Sequence, residues 1–119
     1  MNQFYSRAED RSLAVVWRGT GFQRGEISAV RLDENPEMNV TEDDIWMISR
    51  AIVQPESMRS RGIGSEMMRR LKEELRKVRC KKCYVAPGGY SERQEDQFRF
   101  YEKNGFERIN PQGLFVLKF

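Results

Sequence analysis

Apolar residues recur with period two in the first half of the chain and with helical period in its middle. Leu13-Ala14-Val15-Val16-Trp17 reads as a strand, rich in β-branched and aromatic residues and stopped by Arg18-Gly19-Thr20-Gly21. Gly25–Leu32 alternates as a half-buried strand should, so the two are expected to pair as an antiparallel hairpin with its loop around Gly21. Residues 1–11 carry little periodicity beyond Phe4 and Tyr5 and read as a loose end or a short first strand. Residues 33–44 are polar and acidic with Pro36 among them, a connecting loop. Ile45–Val53 follows as a central strand. Alternation places Trp46, Ile48, Arg50 and Ile52 on one face and Met47, Ser49, Ala51 and Val53 on the other. Both faces are mostly apolar, as expected where helices cover both sides. Arg50 is the misfit, expected at the rim or paired with a carboxylate such as Glu26.

Pro55 cannot donate to a sheet ladder and closes that strand. Arg59-Ser60-Arg61-Gly62-Ile63-Gly64-Ser65 then leads into a long helix, Gly62–Arg79. Its buried face is Ile63, Met67, Leu71, Leu75 and Val78. The outer face holds Arg69, Arg70, Lys72, Glu73, Arg76 and Lys77, with Glu66 before Arg70 and Glu73 before Lys77 in the favourable i,i+4 order. Cys83–Ala86 is the next strand, ended by Pro87-Gly88-Gly89. Ser91 is the expected N-cap of a second helix with an acidic first turn (Glu92, Glu95, Asp96), Phe98 and Tyr101 on one face and Asn104-Gly105 as its stop. Phe106–Ile109 and Leu114–Phe119 are the last strands, joined by a turn. The order β-β-β-α-β-α-β-β predicts an α+β domain of three-layer α/β type, with a mixed, mostly antiparallel central sheet and helices on both faces. At 119 residues the chain is expected to be one domain.

Composition narrows the chemistry. With no histidine, histidine triads, histidine metal sites and imidazole acid–base catalysis are excluded. The two cysteines, Cys80 and Cys83, stand alone, so no zinc ligand set can be completed from cysteine and histidine. They fall at a helix end, where the dipole raises a thiol pKa. A redox pair would sit at a helix start, so two reduced thiols are expected here. No apolar run approaches membrane-spanning length and no charged-then-apolar leader is present, which makes the cytoplasm the expected location. A net charge of +3 does not by itself argue for nucleic acid, and suits a ligand carrying several phosphates.

The strand–glycine–helix junction is where chemistry is expected. Two glycines there let a ligand approach the backbone, and the helix start offers unpaired N–H groups with the positive end of the dipole behind them. Such a junction cradles an anion such as a pyrophosphate, although many strand–glycine–helix junctions are only tight turns. The Gly-Lys-Ser/Thr ending of a Walker loop is absent, and so is the third glycine of a dinucleotide fingerprint.

Arg59-x-x-Gly62-x-Gly64 after a strand ending Val53-x-Pro55 resembles the acyl-CoA signature of the GNAT superfamily of N-acetyltransferases. Phe100-Tyr101-Glu102-Lys103-Asn104-Gly105-Phe106 resembles that family's F-Y-x-K-x-G-F segment. The resemblance covers roughly Ile45 to Ile109 and implies the family's acyl-CoA N-acyltransferase fold. It also implies an enzyme that moves the acetyl group of acetyl-CoA to a primary amine by direct attack in a ternary complex, with no metal. The acceptor would be a protein lysine, a protein N-terminus or a small amine. By the same resemblance pantetheine lies against Ala51, Ile52 and Val53, with the Val53 N–H facing the thioester carbonyl. The pyrophosphate sits on backbone N–H groups of Ser60, Arg61, Gly62, Ile63, Gly64 and Ser65, with charge from Arg59 and Arg61. Tyr101 matches the family tyrosine that returns a proton to the leaving thiolate; by helical spacing alone it would be a core aromatic.

Three departures are visible. Gln94 stands seven residues before Tyr101, where members often carry a pantetheine-binding asparagine. The central strand contains no glutamate to serve as base. The substitutes, Glu42, Asp43, Asp44 and Glu26, read as surface carboxylates, and none is assigned. The helices that usually precede the hairpin and lid the acceptor are not evident, which points to an open groove. Family members commonly dimerise, which would cover a sheet edge. The competing readings are a non-catalytic CoA-binding or interaction module and, well behind it, a basic nucleic-acid-binding domain. The latter would need exposed aromatics beside the Arg69–Lys82 face.

Overall fold

The computed structural model describes residues 3–32, 44–58, 61–87, 94–109 and 113–119, and at Glu56 and Gln94 the backbone alone. The strands are β1 (Gln3–Glu9), β2 (Ser12–Arg18), β3 (Arg24–Arg31), β4 (Ile45–Gln54), β5 (Lys82–Val85), β6 (Glu107–Arg108) and β7 (Phe115–Lys118). The helices are α1 (Ile63–Lys77) and α2 (Gln94–Lys103). All seven strands form one sheet in the order β1-β2-β3-β4-β5-β7-β6, with every pairing antiparallel except β4 with β5. This is the expected α+β architecture. The first residues do form a strand, an exposed edge paired with β2 from Gln3↔Arg18 to Glu9↔Ser12. The connecting loop expected at 33–43, the Ser91 cap and the turn at 110–112 lie outside the described residues.

The main core fills one face of the sheet. Leu13, Val15 and Trp17 of β2, Ile27 and Ala29 of β3, Trp46 and Ile48 of β4, and Cys83 and Val85 of β5 meet Ile63, Met67, Leu71 and Leu75 of α1 there. Tyr101 of α2 joins them. Val78 lies just past the helix, 38% exposed, instead of completing the buried stripe. Both helices cover this one face because they pack on each other. The Phe100 ring occupies the place of a Gly64 side chain, where a Cβ would stand 3.1 Å from it. Asn104 Nδ2 donates to Ser65 Oγ at 3.4 Å, and Lys72 Nζ donates to the Asn104 carbonyl. The helix layer expected on both faces is thus found, among the described residues, on one. The other face carries a smaller cluster of Ile45, Tyr84 and Val116.

The strict alternation expected along β4 breaks at Ser49. Ala29 pairs with Ile48 but Ser28 with Arg50, so Ser49 is the extra residue of a bulge. Beyond it the faces swap. Ala51 and Val53 pair with Ile27 and Gly25 on the core face, while Arg50 and Ile52 pair with Ser28 and Glu26 on the open face. Arg50 is therefore exposed and never enters the core. Nor does it pair with Glu26, whose carboxylate takes Arg7 Nη2 at 3.3 Å.

On α1 the basic residues are largely paired. Glu66 accepts from Arg69 and Arg70, each at 2.7 Å, Glu73 from Arg69 at 2.5 Å, and Glu74 from Lys77 at 3.2 Å, replacing the expected Glu73–Lys77 pair. Arg69 and Arg70 hold the Glu66 carboxyl at about 2, well below its ordinary 4.5. A depressed folded-state pKa adds stability above the unfolded value, and that stability is lost as pH falls from about 4.5 towards about 2. Glu66→Gln is therefore expected to be less stable than wild type at pH near 7, with the difference smaller, but not gone, at pH near 3. Urea unfolding at both pH values measures it.

Candidate functional site

The β4–β5 ladder is short. Ile45, Trp46 and Met47 pair with Lys82, Cys83 and Tyr84, and there the pairing ends while β4 runs on to Gln54. The strands part beyond that point and a cavity of about 750 Å³ opens between them. Its walls are β4 from Ile48 to Val53, the end of β5 with Ala86 and Pro87, the start of α1, and one face of α2. Parallel strands joined by a helix, with the gap at their carboxyl ends, form the crevice where open sheets receive ligands.

At one end of the cavity lies the α1 N-terminus. Gly62 is the N-cap with φ 82, a left-handed conformation that suits glycine, and among the described residues no side chain caps the helix. The first intrahelical bond comes from Glu66 N–H to the Gly62 carbonyl, which leaves the amides of Ile63, Gly64 and Ser65 without helical partners. A Cβ built on Gly62 meets nothing within 4 Å. The two glycines thus serve different ends: Gly62 opens space in front of the helix dipole, and Gly64 admits Phe100. Ile63 points into the core at 6% exposure and offers only its backbone to the cradle. Arg61 is exposed beside it, its Nε 3.4 Å from the Ser57 carbonyl.

Tyr101 lines the cavity from α2. Its ring packs edge-on to Phe100 and Phe106 at 5.1 and 5.4 Å between centroids, and tilted against Phe115 at 6.2 Å. Burial, with Cys83 adding to it, pushes the phenol up to about 12. It therefore stays protonated at neutral pH. The two thiols are free and buried. Burial raises both, Cys80 to about 12 and Cys83 further, so neither has nucleophilic or redox character at neutral pH.

Of the residues singled out in the sequence, Ala51, Ile52, Val53, Gly62, Gly64, Ser65 and Tyr101 line this one cavity. Arg59 and Ser60 lie outside the described residues, and of Gln94 only the backbone at the α2 start is described. Sequence reasoning missed Gln97, Arg99 and Lys103 on the cavity side of α2, and Ser49 at the bulge. The position of Gln97, one turn before Tyr101, was the available signal for it. Phosphates fit the uncapped helix start, and an extended arm fits the gap between the strands, so the chain's own residues suit an acyl-CoA.

A family model described as an acetyltransferase (GNAT) domain matches residues 9–108. No curated protein matches the chain significantly. Among solved structures, a GNAT-family acetyltransferase from Staphylococcus aureus Mu50 superposes with a TM-score of 0.69 at 14% identity, over 90% of this chain and 67% of that one. The ribosomal-protein-S18-alanine N-acetyltransferase of Escherichia coli gives 0.67 at 14% identity, over 99% and 94%. The PaiA N-acetyltransferase of Thermoplasma acidophilum, in complex with coenzyme A, gives 0.65 at 18% identity, over 92% and 62%.

Proposed function

The chain belongs to the GNAT acetyltransferase family, and on that premise we propose that it moves an acetyl group from acetyl-CoA directly to a primary amine. The observation that carries this reading is the parting of β4 and β5, which joins the uncapped start of α1 to Tyr101 through one cavity. The amides of Ile63, Gly64 and Ser65 take the pyrophosphate, helped by the dipole and by Arg61. Ala51, Ile52 and Val53 flank the arm along β4. Acetyl-CoA supplies a thioester whose acetyl carbon an amine attacks, with the thiolate as leaving group. The Tyr101 hydroxyl gives its proton to that sulfur as the carbon–sulfur bond breaks, and the proton released by the acceptor nitrogen passes to water and restores the phenol. No carboxylate is assigned as base.

For the acceptor, the favoured classes are a protein lysine or N-terminus, because among the described residues Arg50 is exposed on the sheet face that it shares with Ile52. The test is to incubate the protein with acetyl-CoA and a panel of lysine peptides, free-N-terminus peptides and small diamines, following acetylated product by mass spectrometry. Acetylated amine with equimolar free CoA is expected. Tight acetyl-CoA binding with no amine acetylated would replace the enzyme with the binding-module reading.

A further inference from the structure

We propose that Arg50 selects the acceptor by holding a carboxylate carried beside the reacting amine, so that the preferred acceptors are amines with an acidic neighbour. The inference rests on the acetyl-transfer reading above and names the acceptor class for the same site. The bulge at Ser49 sets where Arg50 points. It turns Arg50 and Ile52 to the face away from α1 and α2, while Ala51 and Val53 keep to the core face. Both pairs line the cavity between β4 and β5, so the cavity opens towards both faces of the sheet. The donor's phosphates lie at the α1 start and its arm lies against Val53, Ile52 and Ala51. Arg50 is the next residue beyond, about 10 Å along the strand from Val53. A guanidinium there is clear of the phosphates and stands where the acceptor arrives.

The charge around Arg50 points to an anion. The carboxylate of Glu26, one row along the sheet, is already bound to Arg7 at 3.3 Å. Arg50 is exposed and has no hydrogen bond or ion pair among the described residues. Ser28, its partner across the ladder, carries a hydroxyl 3.3 Å from that of Ser49. A guanidinium with five N–H donors beside two hydroxyls suits a carboxylate brought from outside. By strand register, Arg7, Arg18, Arg24 and Arg50 share this face of β1–β4 with Glu9 and Glu26, so its field also favours an acidic ligand. A second cavity of about 230 Å³ runs from Ser49 past Ser28 and Ala14 to Arg7. It gives a chain longer than a small amine a place to lie, and Arg50 adjoins Ser49, which both cavities share. The carboxylate can come from an Asp or Glu next to the acetylated residue of a peptide, or from the α-carboxylate of a free amino acid.

The test measures kcat/KM for wild type, Arg50→Gln and Arg50→Glu by release of CoA. The acceptors are matched peptides with one free amine flanked by Glu, Gln or Arg, and a free amino acid beside its carboxamide. Wild type is expected to prefer the Glu-flanked to the Gln-flanked peptide by roughly 3- to 10-fold, less at high salt. The preference should vanish in Arg50→Gln and turn towards the Arg-flanked peptide in Arg50→Glu. A preference for the amino acid over its carboxamide, with none among the peptides, would assign the carboxylate to a small acceptor. Exposure of Arg50 keeps both substitutions clear of the core, and the wild-type ratio is readable without either. Equal wild-type rates throughout, or a preference that survives in Arg50→Gln, overturn the inference and leave the transferase standing. So does an Arg50→Gln variant that binds acetyl-CoA more weakly and slows every acceptor alike, since Arg50 would then serve the donor. If wild type acetylates no acceptor, this inference and the transferase reading fall together.

Discussion

Tyr101→Phe is expected to lower kcat by about 10²- to 10⁴-fold while leaving acetyl-CoA affinity and fold intact. The substitution removes one hydroxyl and keeps the ring that packs on Phe100, Phe106 and Phe115, so the core has no reason to rearrange. What is lost is the proton for the departing thiolate. The phenol, raised to about 12, is protonated across the working range, so wild type should show no fall in kcat traceable to Tyr101 until pH approaches that value. Steady-state kinetics with a donor series gives the sharper signature. A thioester whose thiol is more acidic needs less help in leaving, so it should narrow the gap between wild type and Tyr101→Phe. A kcat within twofold of wild type would make Tyr101 a core aromatic and nothing more.

The two glycines of the cradle should respond in opposite ways. Gly62→Val is expected to weaken acetyl-CoA about 100-fold, or ~2.7 kcal/mol. Its φ of 82 disfavours any side chain, and the open space in front of it is where the phosphates belong. Gly64→Ala, by contrast, pushes a methyl to 3.1 Å from the Phe100 ring and separates α1 from α2. Its main effect should be a stability loss of about 1–3 kcal/mol from overpacking. Calorimetry and urea unfolding on both variants separate the two. If Gly62→Val kept full affinity, the junction would be a turn rather than a cradle.

Most of the fold was legible because its signals are local. The Leu13–Trp17 run, the period-two stretch of β3, the stripe Ile63, Met67, Leu71 and Leu75, and Gly105 as helix stop with φ 96 each follow from one segment's own pattern. The misses arose where tertiary context decides. Nothing in the sequence around Ser49 marks a bulge, since the residues on either side suit a strand in both registers; only pairing with β3 reveals that Arg50 and Ile52 face outwards. β1 is an edge strand exposed at every position except the half-buried Phe4, so it lacks the alternation that burial imposes. The motif identified Gly62 and Gly64 together, but that one faces open space and the other a phenylalanine ring depends on where α2 lies. Tyr101 was singled out through its motif, and the packing of α2 places it on the cavity wall.

The most direct test of the donor site is a calorimetric titration of acetyl-CoA, and of desulfo-CoA, into the wild-type protein. Micromolar binding of both, lost together in Gly62→Val, is the predicted result. No detectable binding of either ligand would contradict the account, and the gap between β4 and β5 would then serve some other molecule.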